Sequence, residues 1–460
     1  MKTFLPIILL FLLLLTGCTK HDMCAVTGNI IPVVDSLVTD GVPEGSKYNV
    51  ILILYDDVGY EIPSYTGGQS YRTPNLDMLA AHGIQFTQCH TSPLCSPTRY
   101  MLLSGQYNFR NYKQWGVMNP SEYTIANLMH DAGYKTCIAG KWQMDGGASS
   151  ITRLGFDEFL VNEAYTDLNE DSVYNTALYK NPLIYGKSGF WPDSLTDGKY
   201  SQDIFRDFLF DFIHTNKAQP FFLYWALNLA HKPFSPPPGH PDYDTWSNHE
   251  DNPENVKYFP SMVSYMDKLT GQMIQKLKDE GLSENTIVLI MADNGTPKEV
   301  TSQWKGVTVA GGKSTPTEAG THVPMLAYCP GTIAANAVDT GLISMVDIMP
   351  TMASLAHKTI PAGAGTMDGI SFAPRLFGKK VNYRNWIYCS YLPFPGAGYG
   401  FRSSQWIQNS RYRRFLDNYV WSFYNITETP FTDKDLGCVN MTEDEKKLNA
   451  SFGLTVDAIK

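Results

Sequence analysis

Three segments of this chain are short, continuously apolar, and end in polar side chains. Asn49-Val50-Ile51-Leu52-Ile53-Leu54-Tyr55 runs into Asp56-Asp57, Pro220 to Leu227 runs into Asn228-Leu229-Ala230-His231, and Thr286 to Met291 runs into Ala292-Asp293-Asn294. A strand with one wet face alternates; a strand without any polar face needs cover on both sides, which is the pattern of a parallel sheet between helices. Tyr134 to Ala139, leading into Gly140-Lys141-Trp142, repeats it. Helical periods lie between these strands. Thr73 to His82 has Thr73 as cap, Pro74 at its first turn and Gly83 closing it; Ser121 to Ala132 is ended by Gly133; Gln202 to Asn216 and Asn255 to Glu280 follow, the last ended by Gly281. The alternation predicts an α/β fold with a large, mostly parallel sheet flanked by helices. Open sheets of this kind build their sites past the carboxyl ends of their strands. Asp56, Asp57, Lys141, His231, Asp293 and Asn294 all fall there.

The rest of the chain is less regular. Ile84 to Cys89 reads as a strand. Residues 145 to 200 are rich in Gly, Asn, Asp and Tyr and read as loops and insertions. Gly311-Gly312-Lys313 and Glu318 to Pro324 read as a loop before a strand at Met325 to Tyr328, and Met345 to Ala356 as a helix. From about 380, short aromatic segments such as Trp386-Ile387-Tyr388, Trp406-Ile407 and Tyr419-Val420-Trp421 predict a small C-terminal antiparallel sheet. A large domain is placed at 47–375 and a C-terminal subdomain at 376–460.

With 460 residues, 43% of them hydrophobic, the chain can bury a large core. Its net charge of −9 argues against nucleic acid or an anionic membrane surface as a general partner. Leu5 to Leu15 is too short for a confident membrane span and has the form of a secretory signal. Leu15-Thr16-Gly17-Cys18 resembles the lipobox of bacterial lipoproteins, which implies a signal peptide over 1–18, a diacyl anchor on Cys18 and export to the periplasm or outer membrane surface. Residues 19–46 then form a tether. Of the eight cysteines, at 18, 24, 89, 95, 137, 329, 389 and 438, no two form a Cys-X-X-Cys pair, so a zinc ribbon or thioredoxin-type site is not expected. Asn425, Asn440 and Asn449 lie in glycosylation-type triplets, which carry little meaning in a bacterial lipoprotein.

One stretch stands apart: Ser92-Pro93-Leu94-Cys95-Ser96-Pro97-Thr98-Arg99. Pro97 suits the first turn of a helix and Gly105 its end, so Cys95 sits at a helix N-terminal mouth, where anions are favoured. Asp56, Asp57, Asp293 and Asn294 offer only hard oxygen ligands, which select Ca²⁺ or Mg²⁺ over zinc. Such a cation would relieve the repulsion between Asp56 and Asp57 and polarise an anionic substrate. Arg99, Lys141 and Lys313 are fixed positive charges, and His231 can exchange a proton near neutrality. Together they would compensate a tetrahedral anion.

Cys-Ser-Pro-Thr-Arg at 95–99 resembles the Cys-X-Pro-X-Arg signature of the type I sulfatases. Around it stand Asp56-Asp57, Gly140-Lys141-Trp142, His231-Lys232-Pro233-Phe234, Asp293-Asn294-Gly295 and Gly311-Gly312-Lys313 with Glu318-Ala319-Gly320-Thr321-His322-Val323-Pro324, in the order found in that family. The resemblance covers most of residues 48–330 and implies an alkaline phosphatase-like fold. It also implies that Cys95 is oxidised to formylglycine by a formylglycine-generating enzyme. Calcium, ahead of magnesium, would be held by Asp56, Asp57, Asp293, Asn294 and the modified Cys95. Arg99 would hold the aldehyde hydrate, Lys141 and Lys313 the sulfate, and His231 would assist the leaving oxygen. The hydrate suits the chemistry because one hydroxyl attacks sulfur, and deprotonating the other expels sulfate; a thiol has no such exit.

Two positions depart from the family pattern. Gln143 stands where the family carries a histidine that deprotonates the hydrate, and a carboxamide cannot take that proton; Asp145 and His322 are the candidate substitutes. His322 stands where arginine is more common and is expected to shape substrate contacts. The reading is a sulfatase, a sulfuric ester hydrolase, acting on a sulfated carbohydrate. Aromatic content of 13% is compatible with stacking on sugars. The alternatives are a phosphonate monoester or phosphodiester hydrolase of the same fold, and a non-catalytic sulfated-glycan binding protein.

Overall fold

The computed structural model describes residues 41–144, 149–162, 179–246, 252–379, 384–391, 404–417, 420–427, 431 and 434–460. The signal segment, Cys18, most of the tether and Asp145 lie outside these residues.

The strands, in chain order, are β1 (Asn49–Tyr55), β2 (Ile84–His90), β3 (Lys135–Lys141), β4 (Glu158–Asn162), β5 (Tyr185–Gly186), β6 (Gly189–Phe190), β7 (Phe221–Ala226), β8 (Thr286–Ala292), β9 (Thr301–Trp304), β10 (Val307–Ala310), β11 (His322–Tyr328), β12 (Ala337–Asp339) and β13 (Ile343–Ser344). All but the β9–β10 hairpin join one sheet of order β12-β2-β11-β8-β1-β7-β3-β4-β5-β6, with β13 beside β2. The strands β8, β1, β7, β3 and β4 are mutually parallel, while β11 runs antiparallel between β8 and β2. Every residue of β1, β7 and β8 is buried, as their unbroken apolar runs require. The fold is the mixed, mostly parallel α/β sheet flanked by helices that the sequence predicts.

Several element ends differ from the sequence reading for local reasons. The helix Pro74–His82 is not capped by the Thr73 side chain. The backbone N–H groups of Asn75 and Leu76 instead donate to the Asp267 carboxylate at 3.1 and 2.9 Å, a distant residue doing what a cap does locally. Gly83 does not close that helix in a left-handed turn. A Cβ there would meet the Ala327 carbonyl oxygen at 2.2 Å, so glycine is needed for close approach to β11. The helical period at Ser121–Ala132 starts only at Ile125, where Thr124 and Asn127 form a capping box. Asn255–Glu280 divides into a 3₁₀ turn, Pro253–Tyr258, and the helix Phe259–Asp279, with Pro260 in its first turn. Within 145–200, read as loops, stand β4, the short helix Ser150–Arg153 and the β5–β6 hairpin. The strand β11 begins at His322, three residues before the predicted start, preceded by the short helix Glu318–Thr321.

Beyond residue 384, β14 (Ile387–Tyr391), β15 (Ser404–Gln408), β16 (Tyr412–Asp417), β17 (Val420–Asn425) and β18 (Lys434–Asp435) form an antiparallel sheet in sequential order. The predicted small sheet is present, and a helix over Glu443–Ile459 accompanies it. The Thr442 and Glu445 side chains form its capping box, and Phe452 and Val456 are buried within the core.

Candidate active site

The parallel strands deliver their polar ends to one edge of the sheet. Asp56 and Asp57 follow β1, Asp293 and Asn294 follow β8 beside it, Asn228 and His231 follow β7, and Lys141 ends β3. The helix Cys95–Ser104 supplies the rest. Its first residue is Cys95, Arg99 lies one turn in, and Gly105, at φ 67°, closes it with an N–H to Met101 O. The whole helix is buried. Lys313 arrives on the loop before the helix Glu318–Thr321, and Ser314 N donates to Pro93 O at 2.9 Å, tying that loop to the Cys95 loop.

The contacts form an alternating lattice of charge. Lys141 Nζ donates to Asp56 Oδ2 at 2.7 Å. Arg99 donates from Nη2 and Nε to Asp293 Oδ2 at 2.7 and 3.1 Å, and its Nη2 stands 3.5 Å from Asp56 Oδ2. Lys313 Nζ reaches the Asp57 carboxylate at 2.7 Å. Asn294 Nδ2 donates to Asp57 Oδ1 at 2.6 Å, and Asp57, at φ 63°, turns its own N–H to Asp293 Oδ1 at 3.2 Å. His231 Nδ1 bonds to the Lys232 carbonyl, which can only accept. The proton is therefore on Nδ1, and the bare Nε2 stands 3.8 Å from Asp57 Oδ2.

Burial acts on every charge here. It pushes the Asp56 carboxyl up, but Lys141, His231, Arg99 and Lys313 outweigh it and hold that group below the usual carboxylate range. Burial and the neighbouring Asp56 charge raise Asp293, against the pull of Arg99. Burial, followed by the Lys141 and Lys313 charges, lowers His231 to about 4, so it is neutral at pH 7. The Cys95 thiol is pushed up by burial, while Lys141 and Lys313 favour its anion. The two ammonium groups therefore favour negative charge at position 95.

Oxygen ligands for a cation are present. Asp56 Oδ1 and Asn294 Oδ1 are buried and accept no hydrogen bond. Asn294 gives both amide hydrogens away, to Asp57 Oδ1 and to Gly295 O at 2.9 Å, which leaves its oxygen bare. Unpaired buried oxygens beside carboxylates fit a hard divalent ion.

The structure thus brings Asp56, Asp57, Cys95, Arg99, Lys141, His231, Asp293, Asn294 and Lys313 into one cluster. His322 is not where a substrate-shaping residue was expected. It is buried, stacked on Tyr60 with centroids 4.0 Å apart and on His90 at 4.7 Å, with Nδ1 3.2 Å from Glu318 Oε2. His90, Glu318 and His322 have the spacing of a metal site, but the Arg413 guanidinium already pairs with Glu318. Three residues escaped the sequence reading. Tyr224, within β7, places its hydroxyl 3.5 Å from Arg99 Nη1; Asn228 accepts the His231 N–H at 2.8 Å; Asn162 ends β4 in register with Lys141. A polar residue directly after an apolar strand was the available signal for Asn228; Asn162 was hidden in the stretch read as loops.

A mostly parallel α/β sheet with carboxylates and ammonium groups at its carboxyl edge, and a cysteine opening the helix beside them, is the arrangement of a hydrolase for tetrahedral anions, alkaline phosphatase-like in fold. Within that class, residues 48–358 match the sulfatase family model, and residues 313–452 match the model of the N-sulphoglucosamine sulphohydrolase C-terminal region. The chain belongs to the sulfatase family and is a sulfuric ester hydrolase. It is 30% identical over 384 residues to N-acetylgalactosamine-6-sulfatase of Rattus norvegicus, covering 76% of this chain and 70% of that one. Arylsulfatase A of Bos taurus is 31% identical over 381 residues, covering 76% and 71%. The crystal structure of Ps i-CgsB in complex with k-i-k-neocarrahexaose superposes with a TM-score of 0.72 at 22% identity, covering 90% of this chain and 93% of that one, which shows the shared fold.

Proposed function

We propose that this protein hydrolyses a sulfate ester on a carbohydrate, using a formylglycine made from Cys95 and a calcium ion held by Asp56, Asp57, Asp293 and Asn294. The observation that carries the reading is the position of Cys95. It begins a buried helix, within the fields of Lys141, Lys313, Asp56 and Asp293, and the strand ends that carry Asp56 and Asn294 hold two buried oxygens that lack hydrogen bonds. A sugar as the leaving group is supported by the names of the relatives, N-acetylgalactosamine-6-sulfatase among them, and by the carrahexaose bound to Ps i-CgsB. The Leu15-Thr16-Gly17-Cys18 lipobox supports a lipid-anchored location at a bacterial envelope.

Calcium supplies charge compensation for the carboxylates and Lewis acidity toward a substrate oxygen. The aldehyde hydrate at position 95 supplies the nucleophilic oxygen and a route for releasing sulfate. The chain's own side chains do the remainder. Lys141 and Lys313 hold the sulfuryl oxygens and stabilise the charge that grows on them. Arg99, fixed by Asp293, adds its positive charge one turn into the helix that position 95 opens. His231, its Nδ1 committed to the Lys232 carbonyl, presents Nε2 toward the leaving oxygen.

The deciding experiment is peptide mass spectrometry across Ser92–Arg99 on protein made beside a formylglycine-generating enzyme, followed by assays on sulfated sugars and on matched aryl sulfate and aryl phosphonate esters. Conversion of Cys95 with sulfate release supports the reading. A persistent thiol with sulfated-glycan binding and no turnover overturns it in favour of a binding protein, and preference for the phosphonate overturns the substrate class.

A further inference from the structure

We propose that Asn162 is an additional substrate-binding residue whose carboxamide N–H donates to an oxygen of the bound sulfuryl group. This rests on the sulfatase reading above.

Its placement follows from register. Lys141, the last residue of β3, and Asn162, the last of β4, are paired neighbours, so their side chains leave the same face of the sheet. Asn228 follows β7, on the other side of β3, yet its Nδ2 donates to Asn162 Oδ1 at 3.3 Å. The two carboxamides therefore meet across the carboxyl end of β3, beside Lys141. On its other side, Asn228 bonds to the segment carrying His231.

Its chemistry follows from a chain of amides anchored at one backbone group. Asn228 N donates to the Gln202 side chain at 3.2 Å. A backbone N–H only donates, so the atom it meets is Gln202 Oε1, and the opposite atom is Nε2. That Nε2 donates to Asn228 at 2.9 Å, which makes the accepting atom Oδ1. Asn228 is left with Nδ2, which it gives to Asn162, and the accepting atom there is Oδ1. What remains on Asn162 is Nδ2. It is buried and has no acceptor among the described residues, in a side chain whose orientation the relay does not allow to reverse.

A buried donor without an acceptor is costly in the empty site and is repaired by a ligand oxygen. Gln143 Oε1 is a second buried orphan beyond Lys141, but it is an acceptor and cannot serve an anion. Asn162 Nδ2 is a donor, as is the buried Trp142 Nε1, and Asn162 is the one whose side chain leaves the sheet on the same face as the lysine that the mechanism assigns to sulfate.

The test compares Asn162→Asp and Asn162→Ala with wild type, all checked by mass spectrometry for conversion of Cys95. The readouts are kcat and KM on an aryl sulfate, the inhibition constant of inorganic sulfate, and Tm. Asn162→Asp replaces the donor by a carboxylate oxygen and is expected to raise KM and the sulfate inhibition constant together by about tenfold or more. Asn162→Ala should raise both severalfold, with kcat within about threefold of wild type, the pattern of lost uniform binding. If Asn162→Asp does not fold, Asn162→Ala carries the comparison. Wild-type turnover with unchanged sulfate inhibition in the variants, whatever their Tm, overturns this inference alone. Absence of sulfate ester hydrolysis by the converted wild type overturns the sulfatase reading and the inference with it.

Discussion

Lys141 Nζ lies 2.7 Å from Asp56 Oδ2, although the two residues end strands that β7 separates. The ammonium group spans a neighbouring strand to meet the carboxylate, and both partners are fully buried. Its removal has two consequences. The sulfuryl oxygens lose a cation, and Asp56 loses the contact that leads in holding its proton off. Lys141→Met is expected to lower kcat/KM by about a hundredfold or more. It should also lower Tm, more in calcium-free protein than in calcium-saturated protein, because bound calcium takes over part of the compensation. Thermal unfolding with and without calcium measures this. An equal drop in both conditions would show that Lys141 and the cation do not share Asp56.

Chelation of the metal should lower Tm and abolish activity, with both restored by calcium. The effect on Tm should grow logarithmically with free calcium above its dissociation constant. Asn294→Leu removes one of the two bare oxygens and the amide that fixes Asp57. Its calcium affinity, read by competition with a chelator, is expected to fall about tenfold or more. An unchanged affinity would place the ion elsewhere.

Gln143 provides a gain-of-function test. Its backbone lies at φ 51° and its Oε1 is buried and accepts no hydrogen bond, and a carboxamide offers no group that can take the hydrate's proton. Restoring an imidazole, Gln143→His, is expected to raise kcat by about tenfold or more and to add an acidic limb to the pH–rate profile near the histidine range. Single-turnover measurements would show the gain in sulfate release. A variant no faster than wild type would mean that another group already performs that proton transfer.

The sheet was legible because its strands are buried on both faces and carry no ambiguity of pattern; β1 and the helix Ser201–Asn216 stand within a residue of where their residues place them. The site was legible because each polar residue ends or follows such a strand, except Cys95 and Arg99, which lie on a helix framed by Pro97 and Gly105, and Lys313, which only the Gly311-Gly312-Lys313 motif marks. What escaped depends on partners distant in sequence. Asp267 caps a helix that begins at Pro74, and Arg413 supplies the charge that makes Glu318 and His322 a packing cluster. The strand β4 escaped because Phe159-Leu160-Val161 is too short an apolar run to stand out between Glu158 and Asn162.

Arg413 connects the small sheet to the loop that carries Lys313. Its guanidinium donates to Pro316 O at 2.9 Å, to Gln408 Oε1 at 2.7 Å and to the Glu318 carboxylate. His90 and His322 face the same carboxylate. Burial holds His90 neutral, at about 3 against an ordinary value near 6.5. Glu318 is held below the carboxylate range because Arg413, His90 and His322 outweigh its burial. Both folded-state values are depressed, so the stability they contribute is present above the unfolded-state values and lost as pH falls. For His90 the loss starts near pH 6.5 and reaches about 2 kcal/mol by pH 5; Glu318 adds to it below about pH 4.3. A Tm series from pH 7.5 to 4 should therefore fall more steeply for wild type than for His90→Gln, which has no proton to gain. Parallel curves would mean that His90 is not the group being charged. Arg413→Met should weaken inorganic sulfate inhibition in addition to lowering Tm, since the loop bearing Lys313 loses its anchor on the small sheet.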